Sequence, residues 1–290
     1  MAGKRKLARH ALHTVLLLGT SVVIACGGGG GGGGGSTGML VYVVAGDAAT
    51  QTLFRFNTDS PRTIETIGPV GLGGSGLIWA IAFRPQDGLL FAFAYTCGPQ
   101  PPPWGIALYR IDITTGAATL VAASATPNSC QEMSGFSVDP LGVGRVTGES
   151  EHWAVDLDSG TFSSRTGIAY IAGDPNQIAL AVPAHLAYDG AGQAYVIDPN
   201  TRALGRLADL SNPDPGRLST VGSLVPGISG ATLQSGGGFD IRAGRALAIL
   251  RTTSTGLDRL YDVDLATGVV ADLGLVGDGL LEVDAMAIQP

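Results

Sequence analysis

Lysine is absent from this chain after residue 6, and three cysteines are spread over its 290 residues. Aromatic side chains make up only 6 % of it, and one apolar run, residues 11–25, is long. The basic side chains concentrate at the start, at Lys4, Arg5, Lys6 and Arg9. The chain beyond residue 25 carries 13 arginines against 24 aspartates and glutamates, a net charge near −11. A surface that acidic excludes nucleic acid, whose binding comes from neutralising phosphates. It also argues against docking of the folded part on anionic lipid. No phosphate loop, dinucleotide fingerprint or haem motif is present, and no cofactor is implied. Gly227-Ile-Ser-Gly-Ala231 is only superficially like a nucleophile elbow, because no strand–turn–helix pattern surrounds it.

Glycine and proline are plentiful instead, at 45 and 16 residues. They punctuate short apolar runs and argue for many turns and against long helices. A chain of this length can bury one large all-β core or two ordinary ones.

The first 38 residues read as a leader and a tether. A basic segment precedes Ala11 to Ala25, about 15 apolar residues, fewer than the roughly 20 that a spanning helix needs. The run ends in Val23-Ile24-Ala25-Cys26, which resembles the lipobox of bacterial lipoprotein signal peptides. That resemblance makes 1–25 a cleaved signal peptide and Cys26 the lipidated first residue, with several acyl chains for a stable anchor. Gly27 rather than Asp comes after the cysteine, which implies the outer membrane. An ordinary secreted or uncleaved leader is the alternative. Gly27 to Gly35 are nine consecutive glycines, a flexible tether with a reach of roughly 20 Å by random-coil scaling.

Residues 39–290 repeat. The stretch Leu77 to Ala122 holds four apolar runs, at 78–83, 89–94, 106–111 and 118–121, each bounded by Gly, Pro or Asp, as strands joined by turns are. Ile111-Asp-Ile-Thr-Thr-Gly116 matches Val155-Asp-Leu-Asp-Ser-Gly160 and Val263-Asp-Leu-Ala-Thr-Gly268 at the turn after the third strand. Phe56-Asn-Thr-Asp-Ser60 and Ile197-Asp-Pro-Asn-Thr201 match more loosely. The Asp or Asn accepts from turn amides and the Gly takes positive φ. Calcium needs six to eight oxygens, more than such a turn supplies. First strands recur at Ile81/Phe83, Phe136/Val138, Leu186/Tyr188, Phe239/Ile241 and Met286/Ile288, spaced 55, 50, 53 and 47 residues apart. A period near 50 in all-β units points to propeller blades.

The two ends complete each other. Residues 39–68 supply three strands (Leu40 to Val44, Thr52 to Phe56, Arg62 to Thr66), and Glu282 to Pro290 supplies a lone first strand. Pairing them closes a ring and leaves no open edge. The expectation is therefore a five-bladed β-propeller of four-stranded blades, with six as the alternative count. The blades fall at 284–290 with 39–68, then 77–122, 133–168, 183–222 and 236–276.

Leu53-Phe-Arg-Phe, Ala82-Phe-Arg-Pro, Leu108-Tyr-Arg-Ile-Asp, Ala169-Tyr-Ile-Ala-Gly-Asp174, Leu218-Ser-Thr-Val-Gly222, Gly238-Phe-Asp-Ile241 and Leu260-Tyr-Asp-Val-Asp264 occur in one order. In that order the chain resembles the bacterial family called domain of unknown function 4394 over most of 40–290. The resemblance implies exported propeller-type proteins and brings no catalytic residues. The Cys97–Trp104 insertion and the short fourth unit at Asp189-Gly-Ala-Gly depart from it.

Strand alternation puts Cys97 and Cys130 in loops on one face, where an oxidising compartment would let them pair; two free thiols are the other reading. Such a bridge would stabilise by roughly 3 to 4 kcal/mol. Gly98-Pro-Gln-Pro-Pro-Pro-Trp104 lies in the first of these loops. Trp104 is either a contact residue for a sugar or peptide or an indole folded back on its blade. Glu132, Glu282 and Asp284 fall where first strands begin, at the mouth of the central channel. They are solvated rim charges, or else a metal site or an acid and base for glycan cleavage, the last of which would need carboxyls about 5–10 Å apart, one with a raised pKa. His152 and His185 read as structural residues, although His185 starts a first strand and approaches the channel. The expected function is a lipid-anchored, extracytoplasmic binding or scaffold module. Its partner would be a protein, peptide or glycan of the cell envelope, and only its lipid would touch the membrane. A glycan hydrolase or lyase is the alternative.

Overall fold

In the computed structural model, residues 38–47, 49–72, 76–96, 105–125, 133–148, 151–209, 211–225, 227–228 and 232–290 are described. They form short β-strands joined by turns. Three strands open the chain, β1 (Leu40–Ala45), β2 (Thr52–Asn57) and β3 (Glu65–Pro69). The second sheet is β4 (Leu77–Phe83), β5 (Leu90–Thr96), β6 (Gly105–Ile111) and β7 (Ala118–Ala125). The third is β8 (Met133–Val138), β9 (Gly144–Gly148), β10 (Glu151–Val155) and β11 (Phe162–Gly167). The fourth holds β13 (His185–Tyr188), β14 (Ala194–Asp198), β15 (Ala203–Leu207) and β16 (Arg217–Ser223), with β12 (Ala169–Tyr170) added parallel to β16. The fifth is β17 (Leu233–Arg242), β18 (Arg245–Thr252), β19 (Asp258–Val263) and β20 (Val270–Leu275).

The last strand, β21 (Val283–Ile288), returns to the first sheet and pairs antiparallel with β1, so that blade 1 runs β21-β1-β2-β3. The inner strands touch in the closed order β21, β4, β8, β13, β17 and back to β21. This is a five-bladed propeller sealed by its two ends. The alternation of the strands explains the packing: one face of each sheet buries against the blade before it, the other against the blade after. At the seal, Val41, Val43, Met286 and Ile288 of blade 1 pack with Leu247 and Ile249 of blade 5. On the other face of the same blade, Tyr42, Val44, Ala285 and Ala287 meet Ile78, Ile81 and Phe83 of blade 2. Inner strands approach closely at two places. A Cβ on Gly238 would run into Met286, and one on Gly135 would press on Leu186 Cβ at 3.2 Å, which a small shift of that neighbour would relieve.

Turn chemistry matches the sequence at the end of the ring that holds the 3–4 turns. Asp112 Oδ1 accepts from the amides of Thr114 and Thr115, Asp156 Oδ1 from Asp158 and Ser159, and Asp264 Oδ1 from Ala266. Gly116, Gly160 and Gly268 close these turns at φ of 82°, 68° and 74°. Two expectations need correction. The third strand of the first segment is Glu65–Pro69, not 62–66, because Ser60 O accepts Thr63 N and extends the turn. The Asp198 turn joins the second and third strands of blade 4, not the third and fourth. It therefore lies at the opposite end of the ring from the Asp112, Asp156 and Asp264 turns.

Candidate functional site

First strands all start at one end of the ring, here called the mouth. Aligned on Ile81, Phe136, Leu186, Phe239 and Met286, the residues just before them are Ala80, Gly135, His185, Gly238 and Ala285. Four are small and one is an imidazole. One residue earlier stand Trp79, Ser134, Ala184, Gly237 and Asp284. At this position β4 bulges at Trp79, β8 at Ser134 and β21 at Asp284, each left out of the ladder register. A bulge turns one side chain away from its expected face.

The channel these strands enclose is narrow. Trp79, His185, Phe136, Gly237, Phe239 and Met286 are among the residues lining a cavity of about 10 Å³ at its head. At its far end Arg242 reaches from blade 5 to donate to Phe83 O of blade 2 at 3.0 Å. Arg242 Nε faces Asp240 at 3.8 Å. Asp240 is buried and accepts from Ile288 N at 2.8 Å; burial raises its carboxyl above the usual range. Among the described residues the buried side-chain nitrogens without a hydrogen-bond partner are Trp79 Nε1 and His185 Nε2 at the head of the channel, Arg242 Nε at its far end, and both ring nitrogens of His152 in the seam between blades 3 and 4. His185 is 4 % exposed, and burial pulls its pKa down to about 4, so it is neutral at pH 7.

At the rim, Gln51 ties two blades together. Its Nε2 donates to Ile78 O and to Asp284 Oδ2, both at 3.0 Å, and its Oε1 accepts from Ile78 N at 2.8 Å. Burial chiefly pushes Asp284 up to about 6, with Glu282 and Asp258 adding to it, against the Gln51 hydrogen bond and the Arg251 charge. Arg251 grips Asp258 with two hydrogen bonds, 2.9 and 2.7 Å, and Asp258 also accepts Val283 N at 2.9 Å. That contact fixes the start of β21. Glu282 precedes it at φ 55°, a left-handed turn that costs a non-glycine residue about 1 kcal/mol.

Glu282 and Asp284 thus lie at the mouth, as the sequence placed them. Asp284 has the raised pKa that an acid–base reading asks for. Cys26, Cys97, Trp104, Cys130 and Glu132 lie outside the described residues. The strand ends flanking two of their loops are at the mouth, since Thr96 pairs Gly105 and Gly105 pairs Ala125. Sequence reasoning missed Gln51, Trp79, Arg251 and Asp258, and it gave His185 a structural role. The signal for His185 was available: one large polar residue in a column of Ala and Gly.

His152 is different. It is fully buried in the seam between blades 3 and 4, where Arg145 bonds Asp139 at 2.8 Å and meets Asp209 at 3.3 Å. Asp209 accepts from Tyr188 Oη at 2.7 Å and stands 3.8 Å from His152 Nε2. Burial draws His152 down to about 4, with Asp209 opposing and Arg145 assisting. A roomier cleft of about 440 Å³ lies at the outer edge between β11 and β16, where Asp214 and Arg217 pair with each other. Among the described residues no three His, Cys, Asp or Glu side chains gather to hold a metal ion.

Fold and mouth together define a β-propeller with a narrow central channel and a polar rim at one end of it. The chain belongs to the family Domain of unknown function (DUF4394), whose model matches residues 52–287. No curated protein matches it. Among solved structures, a chain of the nidogen/laminin complex is 12 % identical with a TM-score of 0.53, covering 87 % of this chain and 98 % of that one. The periplasmic gluconolactonase PpgL of Pseudomonas aeruginosa is 14 % identical at 0.48, covering 81 % and 82 %. A protein of unknown function from Bacteroides caccae is 12 % identical at 0.44, covering 87 % and 99 %. The first likeness shows a shared fold and nothing more, and the other two carry no argument about function.

Proposed function

We propose that this protein is a lipid-anchored module of the bacterial cell envelope that binds a glycan, peptide or protein partner on its mouth face without transforming it. The observation that carries the reading is the position of the chain's entry. Val41 pairs Ile288, so the segment entering at Gly38 joins the ring at the end opposite the mouth. The mouth is therefore the end of the ring away from the point where the described chain begins. Loop 97–104 with Trp104, and the bridge expected between Cys97 and Cys130, would border the same face. The anchor is tested by fractionating envelopes: wild type stays with the outer membrane and Cys26→Ser is released, while equal release of both removes it. Binding is tested by incubating the full-length protein in detergent with solubilised envelope glycans and proteins. Wild type retains a partner and Trp104→Ala loses it with an unchanged melting curve.

A second reading, a glycan hydrolase or lyase, is favoured by one observation, the raised carboxyl of Asp284 beside Glu282. It predicts product release from a bound glycan that Glu132→Gln or Asp284→Asn abolishes. Retention of the intact ligand supports the binding module instead.

A further inference from the structure

Resting on the proposed binding function, we infer that the head of the channel receives one hydroxyl of a neutral saccharide, held between the indole N–H of Trp79 and the imidazole of His185. The two residues belong to β4 and β13, inner strands that are not neighbours in the ring, so they meet the axis from different blades. Both nitrogens are buried and neither has a partner among the described residues. A buried polar atom left unpaired costs stability, and an apolar pair of the same shape would avoid that cost. His152 and Arg242 also carry unpaired nitrogens, but Trp79 and His185 line one cavity, where a single guest can pair both. The column around His185 is otherwise Ala and Gly, so its ring is the side chain that fills this level of the channel.

The geometry restricts the guest. With about 10 Å³ available, one water-sized group fits and a sugar ring does not, so the ring would stay at the rim against Trp79. Arg242 crosses the far end from blade 5 to blade 2, and the guest enters from the mouth. The Trp79 N–H needs an acceptor, and an ammonium group cannot accept. An anion would approach past Asp258, Glu282 and Asp284, and Arg251 is already engaged by Asp258. A hydroxyl accepts from Trp79 and donates to His185 Nε2 when the imidazole is neutral with its proton on Nδ1. Gln51 and Asp284 at the rim are placed for the neighbouring hydroxyls, which is how polar sites fix orientation.

The test is calorimetry on the full-length protein in detergent, titrated with methyl β-D-glucoside, methyl β-D-galactoside and methyl α-D-mannoside, with glucuronate and glucosamine as charged controls. At least one glycoside binds saturably and at least tenfold more tightly than either control. Trp79→Phe, which keeps an aromatic ring and removes the N–H, weakens that glycoside about tenfold without lowering the melting temperature. In the unaltered protein, the ¹⁵N resonance of His185 Nε2 reads as an unprotonated acceptor and moves on binding. The inference falls if no neutral glycoside binds, if Trp79→Phe binds as tightly as wild type, or if His185 Nε2 carries the proton in the complex. Should Trp104→Ala lose an envelope partner while no glycoside binds, the binding reading stands and this inference alone fails. If wild type retains neither, both fail.

Discussion

The seam between blades 3 and 4 and the head of the channel each bury one histidine, and burial lowers both imidazoles to about 4. Their surroundings differ. His152 sits against a lattice in which Arg145 holds Asp139 and Asp209 together and Tyr188 donates to Asp209. His185 has apolar walls, four small neighbours in its column and a second orphaned nitrogen across the axis. Equal burial and equal titration therefore do not mean equal roles. Neither ring makes a hydrogen bond through Nε2 among the described residues; what separates them is that His152 packs beside charged groups inside a sealed seam, whereas His185 lines a cavity that a guest can enter.

The comparison breaks most visibly at Arg145. Arg145→Met removes the guanidinium that Asp139 and Asp209 share, their side chains being 6 % and 14 % exposed. Urea unfolding should show a loss of about 3–5 kcal/mol. A loss under about 1 kcal/mol would mean that the seam is not held by charge.

The next effect in size is that of pH. Between pH 6.5 and 4 the unfolded chain takes up protons on both imidazoles that the folded chain refuses. Stability from keeping them neutral is fully present above pH 6.5 and is lost toward pH 4, by about 3 kcal/mol per imidazole. Asp284 acts in the opposite sense. Its folded pKa of about 6 lies above its ordinary 3.8, so its contribution is present below pH 3.8 and is lost as pH rises through 6. Urea midpoints should fall from pH 7 to pH 4.5, and His152→Asn and His185→Asn should each flatten that slope. An unchanged slope in both variants contradicts their burial as neutral groups.

A smaller effect is expected at the rim. Gln51→Leu removes the partners of Ile78 N and Ile78 O and should cost about 2 kcal/mol. In the same variant the Asp284 carboxyl loses its donor and its pKa rises, which carbon-detected NMR would read. Smallest of all is Trp79→Phe, which removes a donor that no described group accepts. Its stability should change by less than about 0.5 kcal/mol or improve. A large loss there would make Trp79 a structural residue like His152.

Much of the ring was legible because its signals are local. The Asp112, Asp156 and Asp264 turns each bond their own amides, and the lone strand at the end of the chain had one sheet to complete. The mouth was less legible. Gln51 reaches partners 27 and 233 residues away, a distance no local pattern spans. Trp79 and Asp284 face where they do because of bulges, and a one-residue slip reverses the face that simple alternation assigns. The Asp198 turn looked like its counterparts because Asx chemistry is the same in a 2–3 turn as in a 3–4 turn. Blade 4 uses it at the mouth, where Asp198 also accepts from Tyr170 Oη at 2.8 Å.

Long-range ¹H–¹⁵N spectra of the two imidazoles during titration with the tightest-binding methyl glycoside test the contrast most directly. Ligand should shift the His185 ring nitrogens and leave those of His152 in place. Movement at His152 with a silent His185 would contradict it.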